Sequence, residues 1–108
     1  MTMDDLLDFH KAMGDQTRLR LVALLAAQGP GMAMCVSRLA CELETSVSNV
    51  SQHLRVLREL GVVYSERRRY RIHYFLERAR FEHYAELMGA LLAVDVPVKA
   101  TTERRNCA

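Results

Sequence analysis

The stretch that most constrains this chain is Thr45–Leu60, TSVSNVSQHLRVLREL, closed by Gly61. Val50, Leu54 and Leu57 recur at three- and four-residue spacing, which gives a helix one apolar stripe able to dock on a core. The opposite stripe carries Ser48, Asn49, Ser51, Gln52, His53 and Arg55. Such short hydrogen-bonding groups, crowded into the first two turns, suit a helix whose N-terminal half enters a DNA major groove. Amides pair there with adenine edges, arginine with guanine, and hydroxyls with phosphate. Thr45 or Ser46 is placed to cap the N-terminus and leave its positive end facing phosphate. A solvated helix that binds nothing offers a similar stripe, so the segment after it decides between the two.

That segment alternates. Val62–Arg67 and Tyr70–Leu76 read as two short strands, the second with Tyr70, Ile72, Tyr74 and Leu76 on one face and Arg71, His73 and Phe75 on the other. Arg67, Arg68 and Arg69 occupy the tip between them. A helix followed at once by an arginine-tipped hairpin is the plan of a winged helix, in which the wing touches the phosphate backbone beside the groove. The expected fold is mainly α with a two-stranded wing. Ser48, Asn49, Gln52 and His53 are the candidates for base edges, and Ser51, Arg55, Arg67, Arg68 and Arg69 those for phosphate.

Charge is distributed to match. The first 15 residues carry Asp4, Asp5, Asp8 and Asp15 against Lys11, net −3, whereas Arg55–Arg80 holds eight arginines against three glutamates, net +5. Thirteen of the fifteen basic residues are arginine, which favours planar bidentate partners such as phosphate or guanine. No apolar run approaches a membrane span, and the acidic Met1–His10 does not read as a signal peptide. Three cysteines, an odd number, argue against a disulfide-stapled secreted scaffold, so the cytoplasm is the expected compartment.

Upstream, Asp4–Met13 reads as a first helix with Leu6, Phe9 and Met13 on one stripe, ended by Gly14. Asp15 caps a second helix, Gln28–Gly31 breaks the chain, and a third helix runs over Met34–Leu43. The third helix and the stretch at 45–60 form a helix-turn-helix through Glu44-Thr45-Ser46. Arg78–Asp95 reads as a last helix with an apolar stripe of Phe81, Tyr84, Ala85, Met88, Leu91 and Leu92. In so small a domain this stripe and that of the first helix are expected to pair across a two-fold axis, giving a homodimer. Residues 1–96 then form the DNA-binding and dimerisation domain, and 97–108 a mobile tail beginning at Pro97.

From Phe9 to Leu76 the chain resembles the ArsR/SmtB family of winged helix-turn-helix repressors. The resemblance rests on FHKAMGDQTRLRLVALL, on SVSNVSQHLRVLRELGVV, and on a strand ending His73-Tyr74-Phe75-Leu76. It implies a dimer joined through first and last helices, on double-stranded operator DNA of imperfect palindromic sequence. Three positions depart from the family pattern: Gln16 replaces a proline, and Glu44 and Arg69 replace glycines in the turn and the wing. Because a side chain disfavours positive φ, the wing tip is expected to use another turn type.

The resemblance also implies a ligand that releases DNA. The family's zinc positions on the last helix fall on Arg78, Arg80, Leu91 and Val94, none of which ligates zinc. Its Cys-Val-Cys-like thiolate motif falls on Cys35-Val36-Ser37, which keeps one cysteine of two. Cys41 lies about 120° around a helix from Cys35, so a site for a thiophilic ion such as arsenite, cadmium or lead needs Cys107 from the tail. The same cysteines admit a disulfide or polysulfide switch, or no sensing role at all in a constitutive DNA binder. His10, His73 and His83 have no partner at ligand spacing in the sequence and read as structural or surface groups. No cofactor is obligatory, and no phosphate loop, Cys-x-x-Cys or acid pair beside His53 supports catalysis.

Overall fold

The structure, a computed structural model, describes residues 2–29 and 33–93. In order these form α1 (Met3–Met13), α2 (Gln16–Ala27), β1 (Met34–Cys35), α3 (Val36–Glu42), α4 (Val47–Glu59), β2 (Val63–Arg68), β3 (Arg71–Leu76) and α5 (Arg78–Ala93). The expected tail, with Pro97 and Cys107, lies outside the described residues. No helix among them is long and apolar enough to cross a membrane.

Local chemistry sets the helix ends. Thr2 and Asp5 make a reciprocal capping box at the start of α1, with Asp5 Oδ2 accepting from the Thr2 amide at 2.7 Å. Asp15 caps α2, accepting from the Arg18 amide at 3.0 Å, and Ser46 rather than Thr45 caps α4, accepting from the Asn49 amide at 3.0 Å. The α4 stripe then enters the core. Val50, Leu54 and Leu57 are fully buried beside Leu21, Leu25, Leu39 and Val62.

Three expectations require correction. The third helix begins at Val36, not Met34, because Met34 and Cys35 are extended and pair with Tyr74 and His73 of β3. The sheet therefore has three antiparallel strands in the order β1-β3-β2, and burial of Met34 against the core holds the extra strand in place. Tyr70, expected to open the second strand, belongs to the wing turn instead and is 95% exposed. Arg69 does not avoid the glycine conformation. It takes φ +56°, and Glu44 takes φ +54°, so both turns keep the left-handed backbone despite carrying a side chain.

The stripes of the first and last helices also meet within one chain. Phe9 of α1 stacks on Tyr84 of α5 within one chain, ring centroids 4.1 Å apart, and meets Phe81 edge-on at 5.7 Å. Leu6 and Tyr84 are thereby buried inside the protomer. The apolar surface left open on these helices is Met3 and Leu7 on α1 with Met88, Leu91 and Leu92 on α5. Behind it, Arg78 Nη2 donates to the Ala26 carbonyl at 2.9 Å, and the Arg80 guanidinium lies against Gly61, where a Cβ would sit 3.0 Å from it. Gly61 also has φ +77°, so a side chain here would strain the backbone and require the Arg80 guanidinium to shift.

Two stability measurements follow. Replacing Glu44 with glycine relieves the left-handed strain and is expected to raise stability by about 1 kcal/mol, less the greater freedom glycine gains in the unfolded chain. Glu44→Ala keeps the Cβ and should show no such gain in thermal unfolding. The second concerns Asp15, whose carboxyl is held below the usual carboxylate range, chiefly by the Arg18 amide and further by the Arg18 and His53 charges. The unfolded chain therefore binds more protons than the folded one in that range. The contribution of Asp15 is complete above its unfolded pKa of about 3.9 and is lost as pH falls through the lower folded value. Asp15→Asn, which retains a capping oxygen, should be less stable than the parent in urea at neutral pH, and the difference should vanish in acid.

Candidate nucleic-acid interface

Ser48, Ser51, Gln52 and Arg55 stand exposed on one side of α4, the side opposite its buried stripe. Two neighbours are more constrained. Asn49 is half-buried and donates from Nδ2 to Thr45 Oγ1 at 3.1 Å, which orients its amide and leaves the carbonyl oxygen free of that bond. His53 is turned toward the start of α2, with Nδ1 3.2 Å from Arg18 Nη1 and 3.8 Å from Asp15 Oδ1. Arg18 is itself fixed by donating from Nε to the Ala12 carbonyl at 2.7 Å. His53 thus ties α4 to the α1–α2 junction, and only its Nε2 edge remains for any contact with a base.

The sheet sets out the wing residues in two rows. Its inner face carries Met34, Val63 and Tyr74 into the core, while the outer face carries Cys35, Tyr64, Glu66, Arg68, Arg71, His73 and Phe75. Phe75 is buried on that outer face because Tyr64 stacks on it at 5.0 Å and the Arg68 guanidinium lies 4.9 Å from its centroid. Arg68 also meets Glu66 at 3.4 Å. The three tip arginines are therefore not equivalent. Arg68 is drawn back along the sheet, whereas Arg67 and Arg69 make no ion pair among the described residues. Tyr70 follows Arg69 in the turn, so strict alternation, which extends the second strand back to Tyr70, overruns the strand by the left-handed residue and its neighbour.

The cysteines are separated. Cys35 is half-buried at the N-cap of α3, and its thiol is held below the ordinary range first by the Arg38 amide and then by the Arg71 guanidinium, whose Nη1 is 3.9 Å from Sγ. Cys41 is exposed near the other end of α3. No three His, Cys, Asp or Glu side chains among the described residues stand close enough to hold a metal ion. A thiolate site of the kind expected at Cys35, Cys41 and Cys107 is therefore not assembled by the described residues alone. Arg78 and Arg80, two of the positions on which the resemblance would place zinc ligands, serve instead in the packing of α5.

Residues 15–65 match the family described as bacterial regulatory protein, arsR family. The chain is 32% identical over 79 residues to the cadmium resistance transcriptional regulatory protein CadC of Listeria innocua, covering 73% of this chain and 64% of that one. A solved structure described as a possible transcriptional regulator for arsenical resistance is 30% identical, with a TM-score of 0.66 over 83% of this chain and 85% of its own. The homodimeric winged helix-turn-helix DNA-binding domain of a possible ArsR-family regulator from Mycobacterium bovis shares the fold, with a TM-score of 0.66 at 21% identity over 82% of this chain and 80% of its own. The chain spans 60–64% of the length of the curated relatives it matches first. With its helix-turn-helix, its wing and these matches taken together, the chain belongs to the ArsR family of bacterial transcriptional regulators, a family of regulators rather than enzymes.

Proposed function

We propose that this chain is a dimeric, cytoplasmic repressor that binds operator DNA through α4 and the wing and is released when a soft metal or metalloid ion engages its cysteines. The observation that carries the DNA part is the shared exposure of Ser48, Ser51, Gln52 and Arg55 on a helix whose other side is locked into the core. Buried Val50, Leu54 and Leu57 hold the reading face at a fixed angle, which is what base discrimination needs. Similarity to a cadmium resistance regulator supports the choice of a thiophilic ion, and the favoured thiolate of Cys35 supplies a ligand for it. Cadmium, arsenite and lead are the candidates, with Cys41 and Cys107 as further thiols. The open apolar surface of Met3, Leu7, Met88, Leu91 and Leu92 supports a second copy docking on α1 and α5.

A second reading keeps the fold and changes the signal. The lowered thiol pKa of Cys35 also suits attack on an oxidant or a polysulfide. Fluorescence anisotropy of the reduced protein on a duplex from its own promoter separates the readings. Release by cadmium or arsenite that is lost in Cys35→Ser supports the ion sensor. Release by polysulfide alone moves the reading to sulfur chemistry, and binding that ignores every addition leaves a constitutive DNA binder.

The same assay assigns the contacts. Gln52→Ala is expected to cost about 1 to 3 kcal/mol on the preferred operator and to relax discrimination at one base pair; a uniform loss on all sequences would refute base reading by Gln52. Arg69→Ala should weaken every duplex alike and lower the salt slope by about 1. Arg68→Ala should do so less, because Glu66 and Phe75 already engage that guanidinium.

A further inference from the structure

The sheet brings together two residues that lie 38 positions apart in sequence. In the β1–β3 register Cys35 stands directly opposite His73, and in the β2–β3 register His73 stands opposite Glu66. All three project from the outer face, away from the core. Side chains directly opposite on neighbouring antiparallel strands have Cβ atoms about 4.5–5.5 Å apart, which places a thiol and an imidazole within reach of one ion. A second observation concerns the ring itself. His73 is half-buried, and its Nδ1 is sealed from solvent with no hydrogen-bond partner. An imidazole nitrogen left without water or a protein partner is an exception that calls for an explanation, and metal coordination is one.

We propose that Cys35 and His73 form a thiolate–imidazole chelate for a divalent d10 cation, Cd2+ or Zn2+, on the outer face of the wing sheet. The proposal rests on the ion-responsive reading above and deepens it by naming an imidazole as the ligand next to Cys35. On binding, the Cys35 thiol releases its proton to solvent as the sulfur–metal bond forms. Neutral His73 donates the Nδ1 lone pair that has no protein partner, and water occupies only the coordination positions that face solvent beside Cys35. Arg71, whose contact with Sγ is 3.9 Å long, is displaced by the ion. Glu66 is not counted as a third ligand: it is held by Arg68, and no three-ligand group forms among the described residues. Cys41 has no part in the site. Because Cys35 caps α3 of the helix-turn-helix and His73 belongs to the wing, the ion bridges the two parts of the DNA-reading surface.

The test is a titration of the full-length reduced protein with Cd2+, followed by thiolate-to-metal charge-transfer absorption and by the imidazole nitrogen resonances of histidine. Operator release is measured in parallel. Cys35→Ser should abolish the charge-transfer band, Cys41→Ser should leave it unchanged, and His73→Gln should weaken Cd2+ binding tenfold or more. Arsenite, which takes thiolates and not imidazole, should bind His73→Gln and the parent alike. The His73 ring resonances of the parent should shift on Cd2+ addition, and this readout holds even where a variant fails to fold. Unshifted His73 resonances, or Cd2+ bound as tightly by a folded His73→Gln as by the parent, would overturn the proposal. The two readings fail separately. Cd2+ held by Cys35 and His73 without operator release would leave the chelate and remove the inducer role. Cadmium-driven release that is intact in His73→Gln would leave the inducer role and remove the chelate.

Discussion

Everything at the candidate DNA interface depends on the burial of one stripe of α4. Val50, Leu54 and Leu57 are inserted among Leu21, Leu25, Leu39 and Val62 with no more than 1% of any of them exposed. Each such side chain contributes on the order of 1.5–3 kcal/mol through burial, and a cavity in their place costs more than the lost transfer energy. The consequence is geometric as much as energetic. A helix fixed along its whole inner side cannot roll, so the polar residues on the other side keep their spacing without contacts of their own. This is why Ser48, Ser51, Gln52 and Arg55 remain unengaged and exposed while the helix that bears them is rigid.

The polar contacts around α4 refine this placement. His53, Arg18, Asp15 and the Ala12 carbonyl form a chain of interactions from the reading helix to the α1–α2 junction. They add directional polar contacts between elements whose packing is otherwise hydrophobic. The wing has a comparable device in Tyr64, Phe75 and Arg68, stacked on the face of the sheet that the core does not cover. A small sheet with one buried face ordinarily leaves the other solvated. Here an aromatic pair capped by a guanidinium stiffens it.

Much of this was legible in the sequence, where periodicity carries the information. The apolar stripe of α4, a hydroxyl cap at Thr45 or Ser46, the Asp15 cap and the hairpin after Gly61 follow from spacing and residue type, and the structure chooses Ser46. The misses have physical causes. A two-residue strand such as Met34–Cys35 is too short to show alternation, and it exists only because β3 offers it an edge. The left-handed turns at Glu44 and Arg69 run against the intrinsic preference of those residues, and are imposed by the elements on either side. Periodicity shows Phe9 and Tyr84 as apolar stripe residues, but a stripe does not reveal that the two stack within one chain. The proximity of Cys35 to His73 arises from strand register, which linear spacing between ligands does not encode.

The two arginines at the start of α5 behave as different mechanical parts. The bond from Arg78 to the Ala26 carbonyl is directional, at 2.9 Å, and ties the helix to the end of α2. Two residues on, the flat Arg80 guanidinium rests on Gly61, a position with no side chain to present a ridge or a groove. Gly61 is also the residue at which α4 ends and the wing begins. The start of α5 is thereby moored at two places, to the end of α2 and to the link between reading helix and wing, and a side chain at position 61 would have to push the second mooring aside while holding a left-handed backbone.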